Sequence, residues 1–241
     1  MINSTIRAMK WGAATLAIIT ALATNAEAMD GEAGSPSFHA VRLQIDGARN
    51  DEGGFVTWDG LGWIGGDNEK FVVRTEGEIQ NGHVGRSELW GLYSRNISDF
   101  WDLQAGARQD FDPRPETYLA LGVQGLAQYF LETDAHVFVS KQGDLSARLE
   151  QSIDLLITQR LILQPHVKLD VSADNVPERE IGSGISKIET GAQLRYEISR
   201  KFAPYVDLVY ERALGNTERL VRANGGNPED LTLRAGIRFW F

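Results

Sequence analysis

Apolar and polar residues alternate with a period of two from about residue 38 to the last residue. Between Asp144 and Leu155, one face carries Leu145, Ala147, Leu149, Gln151, Ile153 and Leu155; the other carries Ser146, Arg148, Glu150, Ser152 and Asp154. Successive strand side chains point to opposite faces, so this segment predicts a strand with one greasy and one charged side. Leu131, Thr133, Ala135, Val137 and Val139 alternate in the same way with Glu132, Asp134, His136 and Phe138. Leu161, Leu163, Pro165, Val167, Leu169 and Val171 alternate with Ile162, Gln164, His166, Lys168, Asp170 and Ser172. Trp101–Arg108 and Leu231–Phe241 repeat the pattern.

The connections alternate too. Short ones are expected near 66–69, 96–100, 127–129, 158–160 and 199–202, and longer or more polar ones near 49–54, 80–85, 112–116, 174–186 and 213–229. The connection near 141–143 is short and departs from the trend. Short turns on one rim and long loops on the other are the habit of outer-membrane barrels. Counting segments predicts about twelve strands. A soluble β-sandwich also alternates, but many segments here run to about 10 residues, enough to cross a bilayer when tilted. Aromatic residues gather toward the expected strand ends (Trp58, Trp63, Phe100, Trp101, Tyr129, Phe130, Phe202, Tyr205, Phe239 and Trp240), as interfacial girdles require. The fold class read from these patterns is all-β, a closed antiparallel transmembrane β-barrel of outer-membrane type. An open edge in hydrocarbon would leave backbone groups unpaired. The first strand, around Val41–Asp46, should therefore meet the last, around Leu231–Phe239.

The other segment that stands out is N-terminal. Arg7 and Lys10 precede an apolar run from Trp11 to Ala23, and Ala26-Glu27-Ala28 fits a small-x-small cleavage site. Residues 1–28 are read as a secretory signal peptide, 29–37 as a short periplasmic segment and 38–241 as the barrel. The chain has 241 residues, no cysteine and a formal net charge of -9. Stability must come from packing and backbone hydrogen bonds, without disulfides. The acidic balance argues against nucleic acid as a partner; the expected partner is outer-membrane lipid.

Several strings resemble a known family. They are Phe100-Trp101-Asp102-Leu103-Gln104-Ala105-Gly106, Asp110-Phe111-Asp112-Pro113, the run Leu155–Pro165, Glu178–Gly184, Leu194–Ile198, Phe202–Val206 and the terminal Phe239-Trp240-Phe241. Together they look like the copper resistance protein B family, over essentially residues 38–241. The resemblance implies an outer-membrane protein of a Gram-negative bacterium that contributes to copper tolerance, by binding copper or by assisting its removal from the periplasm. It also implies a copper ion as ligand and a periplasmic multicopper oxidase or copper chaperone as partner. Many members carry an N-terminal stretch rich in methionine and histidine, which suits copper. Here residues 29–37 hold one methionine, so copper capture by that stretch is not expected.

The histidines are His39, His83, His136 and His166. The alternation turns His136 inward beside Glu132 and Asp134, and His166 inward with Asp170 four residues on. Imidazole with carboxylate is an acceptable Cu(II) ligand set, so His136, Glu132, Asp134, His166 and Asp170 are the candidate metal residues. The bland alternative is that they fill a narrow lumen with salt bridges, as small barrels do. Arg108, Arg148, Glu150, Asp154, Lys168, Glu189, Arg195, Glu197, Asp207, Glu211, Arg234 and Arg238 are expected there as well, with mixed signs. A closed structural barrel and a general small-ion pore are the competing readings. No catalytic constellation stands out, and the chain is read as a non-enzyme. A lipid hydrolase built on Ser140 or Ser172 with His136 or His166 is the enzymatic alternative.

Overall fold

The computed structural model describes residues 37–50 and 53–241. The expected signal segment and nearly all of 29–37 lie outside the described residues. Thirteen strand segments form one antiparallel sheet among those described. They are β1 (Phe38–Asn50), β2 (Gly53–Gly65), β3 (Glu69–Gln80), β4 (His83–Ser98), β5 (Trp101–Asp112), β6 (Glu116–Ala127), β7 (Leu131–Ser140), β8 (Leu145–Ser152), β9 (Leu155–Leu156), β10 (Leu161–Ser172), β11 (Gly184–Tyr196), β12 (Phe202–Ala213) and β13 (Glu229–Trp240). Each pairs with its sequence neighbour, except that β8 and β9 both pair with β10 as two pieces of one stave. The wall therefore has twelve staves. It closes between β1 and β13, from Arg42 opposite Trp240 to Gly47 opposite Ala235.

The two faces follow the alternation. Leu119, Leu121, Leu231 and Leu233 are more than half exposed on the outside, while their sequence neighbours Tyr118, Ala120 and Thr232 are buried inside. A sandwich would hide those leucines under a second sheet. A lipid-facing wall exposes them, and contiguous apolar surface on this scale is foreign to a soluble monomer.

Three details depart from the sequence expectation. The strand read as continuous from Asp144 to Leu155 stops at Ser152 and resumes for two residues at Leu155. Its partner at the gap is Pro165. The Ile153 N–H donates to the Pro165 carbonyl at 3.2 Å, but proline has no N–H to return. Second, the connection expected near 80–85 is a two-residue turn, with Asn81 at φ 50° and Gly82 at φ 81°. Two left-handed residues give the hairpin geometry that matches strand twist. The connections 173–183 and 214–228 are long as expected, and the latter carries a helix, α1 (Gly215–Ala223). Third, not every aromatic near a strand end joins a girdle. Phe100, Tyr129 and Phe130 are exposed at the rim that also holds both ends of the barrel chain. Trp63 instead points inward under the Lys70 ammonium, and Tyr205 points inward to donate to Asp46 at 2.7 Å. Trp58 lies mid-stave on the outer face against Gly77, where an added Cβ would stand 2.1 Å from its ring.

Candidate functional site

The lumen divides into two sectors. The first is packed. Inward positions of β3 to β7 supply Val72, Trp90, Leu92, Tyr118, Ala120 and Phe138, which form one buried cluster inside the barrel. Charged groups are threaded through it. Glu88, 1% exposed, receives Arg108 at 2.7 Å and Arg148 at 2.7 Å. Arg148 also reaches Asp170 at 2.8 Å, and Arg74 crosses the lumen to Asp134 at 2.6 Å. Lys168 spans from β10 to Glu76 at 2.7 Å and to Glu150 at 3.0 Å. The Arg74, Arg108 and Arg148 guanidinium groups all lie within 5.6 Å of the Trp90 ring centre. Charges taken out of water need such pairing; Arg148–Glu88, Arg74–Asp134 and Lys168–Glu76 join staves that are not neighbours, while Arg108–Glu88, Arg148–Asp170 and Lys168–Glu150 join adjacent ones. Loop 173–183 covers this sector: Arg179 reaches in to Asp110 at 3.3 Å, to the Tyr118 hydroxyl and to the Arg114 carbonyl at 2.7 Å.

The second sector is a cavity of about 680 Å³ bordered by β1 to β4, β6 to β8 and β10 to β13. Its wall includes Asp46, Asp59, Glu189, Asp207, Arg234 and His166.

The candidate metal residues fall on both sides of this division. His136 is 2% exposed, its Nδ1 lies 2.6 Å from Asp134 Oδ1 and its Nε2 lies 3.1 Å from Gln104 Oε1. Both ring nitrogens are occupied, and the ring packs edge-on against Trp90. His166 lines the cavity, with Nε2 3.1 Å from Asp207 Oδ1. Asp170 is engaged by Arg148, and Glu132 lines the cavity and accepts from the Ser152 hydroxyl at 3.5 Å. The structure thus joins His136 to Asp134 and His166 to Asp207, and does not gather the five into one cluster. Among the described residues no group of three or more His, Asp or Glu is arranged to hold a metal ion.

Each histidine ring lies over an inward-facing glycine of the neighbouring strand. A Cβ at Gly122 would approach the His136 ring to 2.4 Å, and one at Gly191 would approach His166 to 2.5 Å. The side chains expected to line the lumen do face inward, from Arg108 to Arg238. Glu76, Glu88 and Arg74, the centre of the cross-lumen network, went unread because apolar Val72, Trp90 and Leu92 share their face and hide the alternation. The serines of the hydrolase alternative donate elsewhere, Ser140 to Asp144 at 3.0 Å and Ser172 to the Asp174 carbonyl at 2.8 Å.

A family model described as copper resistance protein B precursor matches residues 39–241. The chain belongs to the copper resistance protein B family. Within it, the chain is 42% identical over 205 residues to a copper resistance protein B homolog of Pseudomonas syringae pv. tomato, covering 85% of this chain and 69% of that one. It is 37% identical over 199 residues to copper resistance protein B of Escherichia coli, covering 82% and 67%. Among solved structures the fold is similar to the NanC porin, with a TM-score of 0.58 at 14% identity over 82% of this chain and 98% of the porin. It is also similar to the KdgM porin, with a TM-score of 0.52 at 11% identity over 84% and 99%. These porins support the barrel architecture and nothing finer. Family membership supports a role in copper resistance.

Proposed function

We propose that this barrel sits in the outer membrane of a Gram-negative bacterium and contributes to copper tolerance by taking copper into the water-filled sector of its lumen, where His166 and Asp207 make a brief, exchangeable contact with it. The observation that carries the reading is the different fate of the two inward histidines. His136 is sealed with both nitrogens occupied, whereas His166 stands at the cavity wall beside Asp207. An imidazole and a carboxylate suit Cu(II). Two protein ligands leave the remaining positions to water, which favours release over storage. Removal of copper from the periplasm, with a multicopper oxidase or copper chaperone supplying it at the rim that holds the chain termini, fits this arrangement.

The test is Cu(II) titration of the purified chain in detergent, followed by electron paramagnetic resonance. His166→Ala should weaken binding at least about tenfold, the equivalent of ~1.4 kcal/mol, and His136→Ala should leave it within a factor of about two. Absence of binding by the unaltered chain, or an equal loss in both variants, overturns the reading. The second reading, a closed scaffold whose partner alone handles copper, rests on the cross-lumen ion pairs. Binding by the unaltered chain that depends on His166 excludes it.

A further inference from the structure

The cavity is long. At one end its wall includes Leu126 and Glu132, beside the 128–130 turn; at the other it includes Gly85 and Arg86, beside the 81–82 turn. It therefore follows the staves from one rim region toward the other. About 680 Å³ accommodates on the order of twenty waters at ~30 Å³ each.

Its wall is electrically one-sided. Carboxylates outnumber lysines and arginines ten to six. Most of those cations are already neutralised: Arg42 by Asp59, Arg74 by Asp134, Lys168 by Glu76 and Glu150, Lys187 by Glu211. Glu78, Glu132 and Glu189 have no lysine or arginine within ion-pair distance among the described residues. Asp46 accepts from Thr57 at 2.5 Å and Tyr205 at 2.7 Å. Arg234 is the one cavity-lining cation without a carboxylate partner among the described residues; its guanidinium lies against the Phe55 ring at 5.9 Å. The sequence-level mixture of signs is thus sorted in space. Paired charges tie the lumen together on both sides of the division, and the unpaired negative ones border the cavity.

We infer that the hydrated sector is a conduit that prefers small hydrated cations in general, with Glu78, Glu132 and Glu189 setting the preference and anions, including acidic oligosaccharides, disfavoured. Low-dielectric walls around a water-filled channel focus the field of unpaired carboxylates and raise the local cation concentration. The inference does not depend on copper contact at His166; a path that passes potassium needs no imidazole.

The experiment is reversal-potential measurement on the purified chain in planar bilayers under a KCl gradient. The unaltered chain should conduct with potassium more permeant than chloride. In Glu78→Gln/Glu189→Gln the potassium-to-chloride ratio should fall at least about twofold. A silent membrane after verified insertion, a preference for chloride, or a ratio indifferent to the double substitution overturns the inference. Loss of potassium selectivity in Glu78→Gln/Glu189→Gln with copper binding retained separates its fate from that of the copper reading.

Discussion

Along β4 the inward positions read Arg86, Glu88, Trp90, Leu92 and Ser94; along β11 they read Lys187, Glu189, Gly191, Gln193 and Arg195. Both strands alternate, both face the lumen and both carry a glutamate at the second place. Glu88 is enclosed by aromatic rings and two arginines, while Glu189 borders the open cavity. The same residue type is a structural tie in one sector and an unpaired charge in the other. The surroundings decide: around Glu88 large inward rings expel water and force charges to pair, while Glu189 stands at the wall of an open cavity.

Substitutions at these matched positions can break the contrast. Glu88→Ala leaves Arg108 and Arg148 facing each other without their shared carboxylate. It should destabilise the folded barrel by about 3–5 kcal/mol, read as an earlier urea midpoint by tryptophan fluorescence in detergent. Glu189→Ala should stay within about 0.5 kcal/mol in the same measurement. Similar losses at both positions would show that the two sectors are energetically alike.

The paired glycines give a finer comparison. Gly122→Ala pushes on a His136 ring held by Asp134, Gln104 and Trp90, and overpacking of this kind costs about 1–3 kcal/mol. Gly191→Ala meets the Leu208 carbonyl at 2.8 Å and a His166 ring beside the cavity, whereas Gly122→Ala also meets the Ala135 carbonyl at 2.3 Å, so the Gly191→Ala midpoint should shift less. Arg179→Ala should cost about 1 kcal/mol. It should make loop 173–183 a site of protease cleavage, because Asp110, Tyr118 and the Arg114 carbonyl lose their shared anchor. An unchanged digestion pattern would mean that the loop is held by its contacts with α1 instead, such as the Gly182 N–H to the Thr217 hydroxyl at 2.9 Å.

Most of the wall was legible in the sequence, because a lipid-facing strand must alternate and a membrane barrel must close. The inward register of Arg148, His136, Lys168 and Arg234 follows directly from Leu149, Val137, Val167 and Leu233 on the outer face. β3 and β4 were harder to read, since an apolar residue facing inward looks like one facing lipid, and Trp90 and Leu92 gave no contrast with Leu89 and Tyr93. The candidate site was legible only in part. Period-two spacing places Asp134 beside His136 because they share a strand. It cannot pair His166 with Asp207, 41 residues away, without the register of β10, β11 and β12. Nor does linear spacing show which histidine meets water.

The proline at position 165 gives the wall a seam. Opposite Ile153 the lacing of this closed cylinder runs one way, because Pro165 has no N–H to answer the bond that its carbonyl accepts. Deuterium should enter the amides around Asp154 before those of the flanking staves, and a cylinder pulled open should part along that line.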